Sequence, residues 1–292
     1  MDDDEWLAKR FEKHRPRLQA VAYRMLGSLA DADDAVQDAS LRLSQSGPDT
    51  IDDLGAWLTT VVARECLHIL RSRRHRREES FESRLPDPII TPDEKTDPEQ
   101  EAVLADSVGL ALLVVLDHLS PAERMAFVLH DMFAVPFEEI ARTVGRTPAA
   151  VRQLASRARR RVQAAEIPAP DSDRARQRQV VEAFFAASRA GDFAGLVEVL
   201  DREVVLRADL GSGQRPLVVH GAQSVAKWAR SPRGAQVHPV LVNGAVGAVV
   251  AVNGRPFAVL AFTVVGGKIV EIDGIRDADR LSRIAAAAVT DM

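Results

Sequence analysis

The sequence predicts a multidomain chain with two all-α domains followed by a C-terminal α+β domain. Three observations carry that expectation. Apolar residues recur at helical spacing as far as about residue 165, and a stretch rich in proline and acids interrupts them between 78 and 98. Beyond Pro170 the pattern changes to short runs joined by Asn-Gly and Gly-Gly pairs. A length of 292 residues suits two to three modules at ~100 to 200 residues each. Hydrophobic residues make up 46% of the chain, which excludes a wholly disordered polymer.

Taken in order, residues 6–77 read as helices. Leu18, Val21, Ala22, Met25 and Leu26 share one face, as do Leu58, Val61, Val62, Cys66, Ile69 and Leu70. Gly27 and Gly47-Pro48 punctuate them. Pro86, Pro88, Pro92 and Pro98, set among acids, preclude a regular helix over 78–98. A second helical block covers 99–165, and Ile167-Pro-Ala-Pro170 closes it. Two further helices, near 173–190 with Val180, Val181, Phe184 and Phe185 inward and near 192–200, precede the strand runs 236–242, 246–252, 256–264 and 268–275. Asn243-Gly244, Asn253-Gly254 and Gly266-Gly267 supply the positive φ of two-residue hairpin turns, so a curved antiparallel sheet is expected. The expected boundaries are 1–77, 78–98, 99–166, 167–174 and 175–292.

Several classes are excluded by composition. No run approaches the ~20 apolar residues that span a bilayer. The start, Met1-Asp-Asp-Asp-Glu5, is acidic where a secretory signal is basic, so a cytoplasmic protein without membrane association is expected. The single Cys66 forms no internal disulfide and has no neighbours suited to zinc; it reads as a small buried hydrophobe. Neither a metal nor a cofactor is expected.

The net charge of -4 hides a segregation. Arg71, Arg73, Arg74, Arg76 and Arg77 form one basic block, and Arg152, Arg157, Arg159, Arg160 and Arg161 another. Between them lies an acidic stretch from Glu78 to Glu101. Two basic faces on an acidic tether suit two contacts with one polyanion; two solvated helix faces are the bland alternative.

The second block carries a helix-turn-helix. Ser120-Pro121-Ala122-Glu123 is a capping box, Pro136 opens a short helix that stops at Gly145, and Thr147-Pro148 caps the next. At about 100° per residue, Val151, Leu154, Ala155, Ala158 and Val162 fall on the core side of that helix. Gln153, Ser156, Arg157 and Arg160 fall opposite, with Arg152 at the edge. No acid occurs between Gly145 and Ala165, so this face pairs phosphate-binding arginines with short groups that reach base edges.

At this point the chain resembles the extracytoplasmic-function sigma factors of bacterial RNA polymerase, over residues ~8 to 165. Asp31-Ala-Asp33-Asp34-Ala-Val-Gln37-Asp38-Ala-Ser-Leu41-Arg-Leu43 is similar to the region 2 motif that binds the clamp helices of the polymerase β′ subunit. Ala56-Trp57-Leu58, Arg64 and the block from Arg71 to Arg77 are similar to the part of region 2 that opens and reads the -10 element. The helix-turn-helix resembles region 4, which reads the -35 element. The resemblance implies core polymerase and promoter DNA as partners. It assigns Asp33, Asp34, Gln37 and Asp38 to polymerase, and Arg71, Arg73, Arg74, Arg76, Arg77, Thr147, Arg152, Gln153, Ser156, Arg157 and Arg160 to DNA. Trp57 suits either an unstacked base or the core. Because the chain is net acidic, promoter binding is expected to require core polymerase.

Residues ~175 to 290 resemble the SnoaL-like domain, a cone-shaped α+β barrel. A sigma factor with this tail is similar to a subgroup in which the extension regulates in cis and no dedicated anti-sigma factor is typical. Leu85-Pro86-Asp87-Pro88, the loop holding Asp209, Gly211 and Gly213, and the segment holding Arg276, Asp279 and Arg280 carry that closer resemblance. The linker is expected to dock on the barrel through its acids, facing Arg215, Arg276 and Arg280. His220 and His238 with Asp209 and Asp273 are the acid-base groups on offer, with nothing to fix their geometry, so no catalytic residue is assigned. The alternative reading is a DNA-binding regulator whose barrel binds or converts a small ligand.

Overall fold

The computed structural model describes residues 3–45, 51, 53–79, 85–92, 109–211 and 214–285, with the side chains of 3–7, 76–79 and 92 outside the description. The chain divides into two compact units. One comprises residues up to 80 with 112–166, and the other comprises 81–111 with 167–292.

In the first unit α1 (Asp3–Leu26), α2 (Leu29–Gln45) and α3 (Leu54–Glu79) pack on one another. Leu18, Val21, Met25, Val36, Ala39, Leu58, Val62 and Cys66 are buried between them, while Ile69 is only half-buried. Burial pushes the Cys66 thiol up to about 12, against the pull of Arg124. The second helical block contributes α4 (Leu110–Asp117), α5 (Pro121–Phe127), α6 (Phe137–Val144) and α7 (Pro148–Ala164). The expected helix after Ser120 does not run regularly: Val128–Met132 widen into a π-helical turn, closed by Val135 N donating to Leu129 O at 2.9 Å.

In the second unit α8 (Arg174–Ala190) and α9 (Phe193–Val199) start on Asp173 and Asp192, whose carboxylates accept from first-turn amides. Strands β2 (Leu200–Asp209), β3 (Leu217–His220), β4 (Ala235–Val242), β5 (Ala245–Val252), β6 (Arg255–Val265) and β7 (Lys268–Ile275) follow, with α10 (Ala222–Trp228) after β3 and α11 (Ala278–Ile284) last. Phe184, Phe185 and Phe262 meet edge-on at 5.3 to 5.6 Å and anchor a core with Val181, Leu196, Val225 and Ile272. Asn243-Gly244 and Asn253-Gly254 both have positive φ, as the turn chemistry requires.

The sheet corrects the expectation in three ways. Its order is β1-β4-β5-β6-β7-β2-β3, where β1 is Ile90–Pro92 from the linker. The pairing of β2 with β7 is parallel, so the sheet is mixed rather than wholly antiparallel. The cone is also not closed, because the edge strands β1 and β3 do not pair with each other. The long connection through α10 lets β4 start on the far side of β5 instead of beside β3. At the other end of the chain order, a three-residue strand is too short to have been recognised by alternation. The linker expected over 78–98 differs accordingly: α3 continues to Glu79, and 85–92 belong with the C-terminal unit.

Candidate polymerase, nucleic-acid and linker sites

On α2 the burial alternates with helical period. Ala32, Ala35, Val36 and Ala39 are buried, and Asp33, Asp34, Gln37 and Asp38 are exposed on the opposite face. Gln19 Nε2 donates to Asp33 Oδ1 at 2.9 Å, fixing one carboxylate. Leu41, within the same motif and on the same face as Asp34, Gln37 and Asp38, is 54% exposed, an apolar side chain set among acids.

The basic block on α3 is not uniform. Arg71 and Arg74 are exposed, and the side chains of Arg76 and Arg77 lie outside the described residues. Arg73 is half-buried and engaged within the fold. Its guanidinium donates to Leu26 O at 2.9 Å and pairs with Asp31, clamping α3 to the α1–α2 junction. Arg64 is exposed and Trp57 is half-buried.

In the helix-turn-helix Gly145, at φ 69°, ends α6, and Thr147 Oγ accepts from Ala150 N at 3.2 Å to start α7. The hydroxyl of Thr147 is therefore engaged in the cap. Val151, Leu154, Ala155 and Ala158 are buried, while Arg152, Gln153, Ser156, Arg157 and Arg160 are exposed; Val162 is half-buried. Several of these arginines are partly neutralised. Arg152 pairs with Glu138 at 2.9 Å, Arg159 with Asp131, and Arg157 and Arg161 with Glu123 at 3.7 and 2.9 Å. Glu123 is also the capping-box acid of α5. Burial opposes its ionisation, but the Ser120 hydroxyl and amide with Arg161 and Arg157 hold its carboxyl below the usual range.

Two contacts tie the two helical blocks together. Arg124, 2% exposed, donates through Nε to Arg24 O at 3.1 Å and through Nη1 to Asp117 at 3.2 Å. Phe133, just past the π-helical turn, lies under the Arg24 guanidinium at 4.7 Å, and its carbonyl accepts from Arg17 at 3.0 Å.

The linker seat lies within the second unit. Leu85, Pro86 and Pro88 are buried. Arg280, in the first turn of α11, donates to Leu85 O at 2.7 Å and to Asp87 at 2.6 and 3.0 Å, and pairs with Asp209. Asp209 Oδ1 accepts from Gly211 N at 3.0 Å. Gly211, at φ 105°, leaves room for Asp277, whose carboxylate a Cβ would meet at 3.2 Å. Of the arginines expected to face the linker, Arg280 does so. Arg276 instead lies over the Phe257 ring at 4.4 Å, and Asp279 is exposed on α11. Gly213 lies outside the described residues. Sequence reasoning missed Asn243: its Oδ1 accepts from Ile89 N and its N donates to Ile89 O, both at 2.8 Å. Its turn role masked the second one.

The acid-base groups do not converge. His220 is exposed on edge strand β3, separated by four intervening strands in the sheet from β4, which carries His238. Asp209 is committed to Arg280, and Asp273 pairs with Arg207 at 3.3 Å beside Glu271. Burial drives the Asp273 carboxyl up to about 6, with Arg207 opposing. Among the described residues no group of three His, Cys, Asp or Glu side chains is placed to hold a metal, and no helix is long and apolar enough to cross a membrane.

Comparison with known proteins agrees with this geometry. The Sigma-70 region 2 family matches residues 10–76 and the Sigma-70 region 4 family residues 109–162. The ECF RNA polymerase sigma factor SigJ of Mycobacterium tuberculosis is 41% identical over 291 residues, covering 93% of this chain and 92% of that protein. The probable ECF RNA polymerase sigma factor SigI of the same species is 36% identical over 277 residues, covering 93% of each. The crystal structure of the SigJ protein superposes with a TM-score of 0.71 at 36% identity, covering 94% of this chain and 98% of that one. Similarity of that extent reaches through the linker and the C-terminal unit, and the chain belongs to the family of extracytoplasmic-function sigma factors of RNA polymerase.

Proposed function

We propose that this sigma factor directs core RNA polymerase, in the cytoplasm, to promoters through three surfaces and is regulated in cis by its SnoaL-like C-terminal domain. The α2 face of Asp33, Asp34, Gln37 and Asp38 with Leu41 seats on the β′ clamp helices, carboxylates against basic groups and leucine against an apolar patch. Arg71 and Arg74, with Arg76 and Arg77, neutralise phosphates at the -10 element. Arg152, Gln153, Ser156, Arg157 and Arg160 read the -35 element from the major groove. The observation that carries this reading is the acid-free outward face of α7, all five of these side chains being exposed together.

The ion pairs of Arg152 and Arg157 are with exposed or shared partners, and such pairs contribute about 0 to 1 kcal/mol, so phosphate displaces them at small cost. Free protein then binds duplex weakly, and polymerase supplies the rest. The linker seat gives the regulation a physical form. With 85–92 held on the C-terminal sheet, the tether between α3 and α4 is anchored; release of Asp87 from Arg280 weakens an anchor that Leu85 O, Ile89 and the β1–β4 pairing also hold. A non-catalytic C-terminal domain fits the committed partners of Asp209 and Asp273, and regulation in cis leaves no need for a dedicated anti-sigma factor.

Run-off transcription with purified core polymerase and genomic promoter fragments tests the proposal. Whole protein is expected to give defined starts, Asp34→Lys/Asp38→Lys to lose association with core, and a chain ending at Ala165 to show altered promoter activity. Failure of the whole protein to associate with core, or to select starts once associated, sinks it.

A further inference from the structure

We propose that the cleft between the basic end of α3 and the helix-turn-helix binds a small linear oligophosphate, free or carried by a nucleoside. The cleft encloses about 1020 Å³, the scale of small-ligand sites and far too small to admit a duplex. Arg71 and Arg74 of α3 line it, with Arg146 from the turn after α6 and Arg157 and Arg161 from α7. Among the described residues, seven arginines and two histidines line the cleft against two carboxylates, Asp117 and Glu123.

Those two acids are already shared. Glu123 takes Arg157 and Arg161, and Asp117 takes Arg124. Arg73 reaches the cleft but is held by Asp31. With Asp31 counted among the acids, the histidines neutral and Arg74 set aside for a contact of its own, six guanidiniums against three carboxylates leave an excess of three positive charges among the described residues. Like charges gathered in a concave site focus the field and concentrate anions there. Phosphate and carboxylate oxygens both match the planar guanidinium fork, and of the two a chain of phosphates carries the charge density to span arginines contributed by different elements. Occupancy holds α3 and α7 to one ligand and competes with promoter DNA for Arg71, Arg74 and Arg157. That consequence rests on the function proposed above, whereas the binding itself does not.

Calorimetric titration of the full chain with sodium tripolyphosphate, in the absence of DNA and polymerase, tests the site. Saturable binding at one site is expected. It should weaken at least about tenfold in Arg146→Glu/Arg161→Glu, two residues outside the promoter-reading set. Arg230→Glu/Arg233→Glu removes the same charge from exposed positions of the C-terminal unit and should leave affinity within about twofold. Because Arg161 also pairs with the capping-box acid, Arg146→Glu alone, in the exposed turn, provides the variant that keeps the fold and still loses affinity. ATP titrated in parallel separates the sources: tighter binding than tripolyphosphate assigns a nucleoside polyphosphate, and equal binding assigns the phosphate chain alone. Absence of saturation at millimolar tripolyphosphate, or equal losses in the two double variants, overturns the proposal.

Discussion

Arg124 in the helical unit and Arg280 in the C-terminal unit are both buried, and each grips a backbone carbonyl far away in sequence. Their charge partners differ. Arg124 takes a remote carbonyl, Arg24 O, but its carboxylate, Asp117, is seven residues away on the neighbouring helix. Arg280 takes both a remote carbonyl and a remote carboxylate from the linker, Leu85 O and Asp87, and keeps Asp209 as a second buried acid. Separating the two helical blocks therefore leaves Arg124 paired with Asp117 and, at this side chain, breaks the hydrogen bond to Arg24 O. Lifting the linker strips Arg280 of one of two acids, yet leaves it paired with Asp209 while Asp87 gains water. Both seats are built so that the departing segment leaves no bare charge behind.

Arg280→Met is expected to have the greatest effect on stability. Asp209, with 5% of its side chain exposed, then has no guanidinium, and leaving one partner of a buried pair costs about 3 to 5 kcal/mol. Asp87→Asn is the sharpening control, because it keeps the Arg280 pair with Asp209 and weakens only the linker. Urea unfolding followed by circular dichroism should show a large loss for Arg280→Met and a small one for Asp87→Asn, while proteolysis within 85–92 should accelerate in both. Equal stability losses in the two variants would show that Arg280 serves only the linker.

Reading the chain as sequence captured what is decided locally. The capping box at Ser120, the Gly145 stop and the two faces of α7 follow from residues within one or two turns of each other, and they appear where expected. Legibility ends where the partner is distant. Ile89 meets Asn243 across 154 residues and Leu85 meets Arg280 across 195, and no local pattern encodes either pairing. Arg73 illustrates the same limit in the candidate site: its neighbours in sequence marked it as one of a basic run, and its contacts with Leu26 O and Asp31, 47 and 42 residues away, are not legible there. The π-helical turn at Val128–Met132 was equally hidden, since its sequence keeps an ordinary helical pattern.

An intermediate effect comes from the acid surplus in the C-terminal sheet. Glu271 and Asp273 share the single guanidinium of Arg207, and Glu271 Oε2 has no hydrogen-bond partner among the described residues. The Asp273 carboxyl is raised from 3.8 to about 6, so the folded chain holds a proton that the unfolded chain has released. Its contribution is fully present below pH 3.8 and is lost as pH rises through about 6. A shift of that size corresponds to about 3 kcal/mol at most. Asp273→Asn is expected to remove this slope, and to make the protein more stable than the parent at pH 7.5 while nearly equal at pH 4. Urea midpoints across that pH range check it; a variant destabilised at pH 7.5 would mean that Arg207 outweighs burial.

The smallest effect belongs to Arg124→Met, despite the deeper burial of its side chain. Methionine fills much of the volume left by the arginine stem, and Asp117, 20% exposed at its side chain, retains access to water. What is lost is the hydrogen bond to Arg24 O, whose carbonyl stays between the helical blocks, a cost of about 1 to 2 kcal/mol. The Cys66 thiol supplies an independent readout in the same unit. Arg124 is the strongest influence favouring its thiolate, so the variant should leave the thiol still harder to ionise and slower to react with an alkylating reagent at pH 9. If thiol reaction instead accelerates, the helical blocks have opened and exposed Cys66. Arg124 would then be holding them together as firmly as Arg280 holds the linker, and the asymmetry between the two seats would disappear.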